Sequence, residues 1–264
     1  MQYFQRLGIS LKNQVAALGG AILFYTRFLW PESWPVDLTH IAYLAPWVGC
    51  GLGCLLAIGD RLLICLHFPP LTASILLVAL WLWSTGGLHL DGAMDTADGL
   101  AVTDPERRLV VMRDSVTGAF GVMVAVLILV LKGGAIAELE LFRGWSLVMA
   151  AGWGRWGQVL AIAQYPYLRP EGKGAFHKET FKAPQDLLWG LVLLLGLMAL
   201  QISLAREKYL CILICMVWGL CVSWLAGWWF ARQLGGHTGD TYGAVVEWTE
   251  AVYLMGVLGI SQWV

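Results

Sequence analysis

The chain has 264 residues, 58% of them hydrophobic and only 13% charged, with a formal net charge of −1 and a mean hydropathy of +0.67. A soluble domain carries about 25% charged residues, so this composition excludes an ordinary soluble protein and indicates a membrane protein. Fifteen tryptophans fit the same reading because indole rings favour the membrane–water interface, and the lack of a basic tract excludes nucleic acid as an expected partner.

Taken in chain order, the first apolar run, 13–30, is short and interrupted by Arg27. It predicts an interfacial or re-entrant helix, with no clear small-residue cleavage site that would mark a removable leader. Runs long enough to span a bilayer, which takes about 20 residues, follow at roughly 41–66, 71–90, 118–137, 145–164, 187–204, 209–231 and 244–263. The expected fold is therefore all-α: one polytopic helical membrane domain over 1–264, with about seven transmembrane helices plus the short N-terminal helix. Cysteines at 50, 54, 65, 211, 215 and 221 form no CxxC, and no histidine sits at zinc-ligand spacing. They read as packing residues with no disulfide. Gly49 and Gly53 suit close helix packing, within the chain or between copies of it.

Lysine and arginine placement gives the orientation. The loops 91–117, 165–186 and 232–243 hold Arg107, Arg108, Arg113, Arg169, Lys173, Lys178, Lys182 and Arg232, against Arg143, Arg206 and Lys208 in the opposite loops. The first set is expected on the cytoplasmic side of the plasma (cell inner) membrane. That side also carries the residues that look chemical.

The densest of these is Gly86-Gly87-Leu88-His89-Leu90-Asp91-Gly92-Ala93-Met94-Asp95-Thr96-Ala97-Asp98-Gly99. On a helix, Asp91, Asp95 and Asp98 fall within an arc of roughly 60°. Three carboxylates on one stripe repel each other, and a divalent cation relieves that repulsion. Hard oxygen ligands favour Mg²⁺ or Mn²⁺ over zinc. Next comes Arg113-Asp114-Ser115-Val116-Thr117-Gly118. There Ser115 or Thr117 can cap the following helix, Arg113 can pair with a phosphate, and Asp114 can add an oxygen ligand. Gly235-Gly236-His237-Thr238-Gly239-Asp240-Thr241-Tyr242-Gly243 reads as a tight turn around a ligand. Glu247 and Glu250 follow on the same helical face as Asp240, inside the last apolar run, where ionisable groups are expensive. They are candidates for a second acidic cluster, alongside the plainer reading of a polar seam between helices.

Two cations also fall inside apolar runs. Lys132 is expected to snorkel outward, whereas Arg155, in Gly152-Trp153-Gly154-Arg155-Trp156-Gly157, either snorkels or neutralises a phosphate. His89 and His237 adjoin the acidic motifs as orienting partners or general bases. The loop 165–186 is a candidate lid supplying charge from Arg169 or Lys173, and Arg27 can reach the same pocket. No P-loop, GxSxG, HExxH or GxGxxG occurs.

Three segments carry a resemblance: GGLHLDGAMDTADG at 86–99, RDSVTGAFG at 113–121 and GHTGDTYGAVVEWTE at 236–250. In these, and in Thr26-Arg27-Phe28, the chain resembles the cobalamin synthase family over nearly its whole length. Ala93-Met94 stands where Leu-Ala is expected, and Arg113 where many members have lysine; the acids are intact. The resemblance implies a transferase that joins adenosylcobinamide-GDP to α-ribazole, or its 5′-phosphate. The products are adenosylcobalamin, or its 5′-phosphate, and GMP, with Mg²⁺ as cofactor. For such a reaction the residues read above assign Asp91, Asp95 and Asp98 as expected metal ligands, with Asp240 and Glu247 holding a second ion or activating the ribose hydroxyl. Arg113 and the amides near Ser115 would hold phosphate, with Asp114, His237, Thr238, Arg27, Arg155 and Glu250 around the substrates and His89 supporting the acids. A homo-oligomer or a membrane-associated biosynthetic complex stays open.

Two rival classes make different demands. A CDP-alcohol phosphotransferase needs DGxxAR followed by GxxxDxxxD, but here Asp91-Gly92-Ala93-Met94 runs into Asp95-Thr96. A cation-coupled transporter predicts an inverted repeat and a site at mid-membrane, and no repeat is evident.

Overall fold

The computed structural model describes residues 2–114, 116–172 and 174–263, with side chains from residue 12 onward. Eleven α-helices account for most of these residues, and no strand occurs among them beyond one isolated bridge between Tyr167 and His237. They are α1 (Gln2–Tyr25), α2 (Ala45–Cys65), α3 (Pro70–Thr85), α4 (Leu88–Ala101), α5 (Pro105–Val111), α6 (Ala119–Glu138), α7 (Arg143–Gln164), α8 (Ala175–Thr180), α9 (Gln185–Leu204), α10 (Tyr209–Leu234) and α11 (Gly239–Ser261).

Five helical segments are long and apolar enough to cross a membrane: those containing α2, α6, α9, α10 and α11. The expected count of about seven differs from this at two places, each with a physical reason. The run 71–90 is not one helix. α3 ends at Thr85, and α4 leaves it at 90°. The corner is made by Gly86 (φ 62°) and Gly87 (φ 74°), a left-handed backbone that glycine adopts without a Cβ penalty. α3, 16 residues long, does not pass as a span by itself, and α4 does not extend it in line. The run 145–164 is a helix of the right length, α7, but a more polar one. Residues 146–162 of it are all buried, so it is sheathed by other helices and has no need of a lipid-facing surface. The N-terminal segment forms the 24-residue helix α1, longer than the expected 13–30 run implies at its start, and ending at Tyr25 before Arg27.

α7 is the axis of the molecule. α2 runs antiparallel beside it: a Cβ on Gly49 would collide with the Ala151 carbonyl oxygen, and one on Gly53 with Val148 Cα. At the far end, Arg143 Nε donates to Asp60 Oδ1 at 2.8 Å. The Gly49/Gly53 pair thus serves packing within the chain. The core on this axis includes Leu56, Leu77, Leu147, Trp153, Leu194, Leu254 and Val257, all nearly inaccessible. A second cluster, Leu90, Ala93, Ile128, Phe230 and Val245, seats α4 against α6, α10 and α11. The second cluster positions the acidic helix.

Candidate active site

α4 crosses α11 at two glycines. A Cβ on Gly92 would lie 2.6 Å from the Asp240 carbonyl oxygen, and one on Gly243 would lie 2.8 Å from that of His89. Only bare backbone permits this approach, and it brings the Asp91–Asp98 stripe beside Asp240, in the first turn of α11. Asp91 is exposed, and Asp95, Asp98 and Asp240 are partly buried. The carboxyl of Asp95 is pushed up to about 7, first by burial, then by the charges of Asp91, Asp240 and Asp98. Four carboxylates are thus close enough to feel one another, with Arg169 the cation acting against that rise.

Arg169 reaches the cluster because its loop is stitched to the turn before α11. His237 N donates to the Pro166 carbonyl at 2.9 Å, and Leu168 N donates to that of His237 at 2.7 Å. Arg169 Nη1 then donates to Asp240 Oδ2 at 2.6 Å and Nη2 to the Leu109 carbonyl at 3.0 Å. Thr238 and Thr241 form a reciprocal capping box that starts α11 here. The buried His237 ring sits between Thr241 Oγ1 (3.0 Å from Nδ1) and the Gly227 carbonyl (3.1 Å from Nε2). A carbonyl can only accept, so Nε2 carries the proton. Burial holds the ring down to about 4. His237 therefore pins the turn and has no free nitrogen for base chemistry.

Two cavities meet at Asp91. One, of about 610 Å³, is lined by Phe24, Arg27, Gly86, Gly87, Asp91 and Met94 among others. Arg27 lies over the glycine corner, its Cγ 3.0 Å from where a Gly86 Cβ would stand. The other, of about 220 Å³, is lined by Tyr25, His89, Asp91, Gln158, His177, Asp240 and Tyr242 among others. His89 is buried and stacks on Tyr25, and burial together with the cations Arg155 and Lys132 keeps its ring neutral.

The acidic cluster offers only hard oxygen donors, and the like charges of Asp91, Asp98 and Asp240 act on Asp95; that donor chemistry fits Mg²⁺. Among the described residues no three His, Cys, Asp or Glu side chains already converge as a finished metal site.

Several expected residues have other partners in the structure, or lie outside the described residues. Asp98 spends both oxygens on α6, accepting from Gly118 N at 2.7 Å and Gly121 N at 2.8 Å. It thereby caps that helix from outside, in place of the expected local cap by Ser115 or Thr117, since α6 begins after Gly118 with no side-chain cap of its own. Ser115 and Lys173 lie outside the described residues. Arg113 and Asp114 are exposed and line neither cavity. Glu247, Glu250 and Arg155 are not brought to the aspartates. They form a buried ion cluster with Lys132: Lys132 Nζ donates to Glu247 Oε2 at 2.6 Å and also to Glu250, which Arg155 engages from the other side. Lys132 therefore does not snorkel. It is 3% exposed and sits 4.5 Å over the Trp81 ring, because two carboxylates inside the bundle satisfy it better than the interface would. Sequence reasoning missed Tyr25, Gln158, His177 and Tyr242 as site residues.

A family model described as cobalamin-5-phosphate synthase matches residues 17–258. The chain belongs to this family. Relatives named adenosylcobinamide-GDP ribazoletransferase include one from Synechocystis sp., 51% identical over 91% of this chain and 94% of its own length. Others are from Trichormus variabilis, 51% identical over 89% and 93%, and Prochlorococcus marinus, 34% identical over 94% and 96%. No solved structure matches. The family assignment makes the chain an enzyme, a transferase of cobalamin synthesis built from membrane helices.

Proposed function

We propose that the chain transfers the phosphocobinamide portion of adenosylcobinamide-GDP to α-ribazole or its 5′-phosphate, releasing GMP, at the cytoplasmic face. The observation that carries this reading is the placing of Asp91, which lines both cavities, and Asp240, which lines one, within reach of the Asp95 charge and of Arg169. One cavity suits a phosphate-bearing donor, since Arg27 and the glycine corner line it; the other suits an acceptor.

Asp91 and Asp95 would hold Mg²⁺. When bound, the ion would neutralise diphosphate charge and stabilise the leaving phosphate. A ribose hydroxyl of the acceptor forms a P–O bond at the phosphorus joined to the cobinamide arm, and the bridging P–O bond to GMP breaks. Asp240 orients the hydroxyl and takes its proton as the new bond forms. Arg27 and Arg169 supply positive charge, and positioning does most of the remaining work. Asp98 holds α6 under the acidic helix. The cytoplasmic placement is supported by the lysine and arginine bias of the loops on this side.

The test is turnover by purified protein in liposomes with adenosylcobinamide-GDP and α-ribazole phosphate, with and without EDTA. Metal-dependent GMP release together with a cobalamin product is expected. Absence of both from folded protein would overturn the assignment.

A further inference from the structure

The smaller cavity concentrates polar atoms that the protein does not satisfy. Both ring nitrogens of His89, both ring nitrogens of His177 and Tyr242 Oη are buried without a hydrogen-bond partner among the described residues; Tyr25 Oη and Gln158 Oε1 make no hydrogen bond of good geometry but lie close to one another. All five side chains line the same cavity of about 220 Å³. Buried polar groups are ordinarily paired, so a cluster of unpaired ones around one space points to a ligand that pairs them. The cluster is also rigidly held. Tyr25 is stacked between His89 (centroids 6.3 Å, planes 10° apart) and His177 (5.9 Å, 8°), which presents both imidazole edges in a fixed array.

Three properties define the ligand. First, it is uncharged where it enters: no described cation lines the cavity, and burial holds the His177 ring down to about 4, hence neutral. No lysine or arginine lines this space to receive a phosphate directly, whereas the larger cavity offers Arg27. Second, it is small. The volume is below the roughly 300 Å³ of a drug-sized pocket, so it takes one ring system and not a corrinoid or a whole nucleotide. Third, it leads to the acids, since Asp91 and Asp240 line the same space.

We infer that this cavity binds the acceptor nucleoside, its uncharged aromatic ring among Tyr25, Gln158, His177 and Tyr242 and its ribose hydroxyls toward Asp91 and Asp240. The inference rests on the transferase reading above and assigns the two substrates to separate cavities. Donor and acceptor then both reach Asp91, which lines each cavity.

The test uses the full chain in liposomes and the variants Tyr242→Phe, which removes a single oxygen, and His177→Leu. The KM for α-ribazole at saturating donor should rise about tenfold or more, the size of one lost hydrogen bond. The KM for adenosylcobinamide-GDP should stay within about twofold. An Arg27→Ala variant should show the reverse split. A rise confined to the donor KM, or unchanged KM values in Tyr242→Phe, overturns the inference. Equilibrium dialysis of radiolabelled α-ribazole against the same proteins separates this result from failure of the transferase reading. If the wild type makes no cobalamin yet binds α-ribazole, and Tyr242→Phe binds it about tenfold or more weakly, the cavity assignment stands without the reaction. If the wild type binds none, the assignment falls.

Discussion

The buried cluster of Lys132, Glu247, Glu250 and Arg155 gives the sharpest separation of structural from chemical roles. Two cations and two carboxylates balance there, all nearly inaccessible. Replacing Lys132 with Met removes one cation and leaves Glu247 and Glu250 facing Arg155 alone. Breaking one partner out of a buried pair typically costs about 3–5 kcal/mol, because a desolvated charge is left uncompensated. That corresponds to a population shift of roughly 10²–10⁴-fold toward the unfolded or rearranged state. Glu247→Gln should cost a similar amount by leaving an excess cation. The double variant Lys132→Met/Glu247→Gln leaves the neutral Arg155–Glu250 pair and should recover most of the loss. The coupling is read from thermal unfolding of the four proteins in nanodiscs, followed by tryptophan fluorescence, with turnover measured on each. Additive losses in the double variant would refute the ion-cluster reasoning. A double variant as stable as the wild type but without turnover would return Glu247 to the chemistry.

Asp95→Ala should abolish turnover while leaving the protein folded in membranes; near-normal turnover would remove Asp95 from the site. Asp98 should behave differently: Asp98→Asn, which keeps an acceptor for the α6 amides, is expected to retain most activity, and Asp98→Ala to lose about 0.5–2 kcal/mol of stability as a lost cap does. Equal inactivation by both would instead mark Asp98 as a metal ligand. Gly92→Ala places a methyl against the Asp240 backbone and should cost about 1–3 kcal/mol through overpacking, together with turnover, because the same crossing aligns the acids. His177 and His237 are both held near 4 when folded but titrate near 6.5 when unfolded. The unfolded chain therefore binds more protons below pH 6.5, so their contribution is intact above that value and is lost as pH falls toward 4. The unfolding temperature should drop across that window, and His177→Leu should make the drop shallower.

The apolar runs mark six of the seven expected crossing segments to within a few residues of observed helices, since a lipid-facing or buried helix must be apolar over its length. The seventh, 71–90, misleads because hydropathy does not register a corner; the signal for it is the paired Gly86-Gly87. The acidic stripe and the Asp240 turn are readable because the chemistry demands those residue types at those spacings. A single sequence does not reveal which side chains pair across the bundle. Glu247 reads as a continuation of the Asp240 face, yet its partner Lys132 lies 115 residues away. His177 sits in a polar loop with no motif around it, and only the fold stacks it on Tyr25.

The arrangement also explains why the ion cluster and the acidic site are expected to fail together under single substitutions. α11 carries Asp240 in its first turn, and Glu247 and Glu250 two to three turns deeper, about 10–15 Å along the axis. The deeper pair ties α11 to α6 through Lys132 and to α7 through Arg155. The same two helices hold the upper site: α6 receives Asp98 at its N-terminus, and α7 carries Gln158. A shift of α11 therefore moves Asp240 against Asp91 and Asp95 at once. Loss of activity in Glu247→Gln alone is consequently no evidence of chemistry at Glu247. The charge-balanced double variant removes the Glu247 carboxylate while keeping the neutral Arg155–Glu250 tie to α7, so full turnover in it would place Glu247 in position and not in participation.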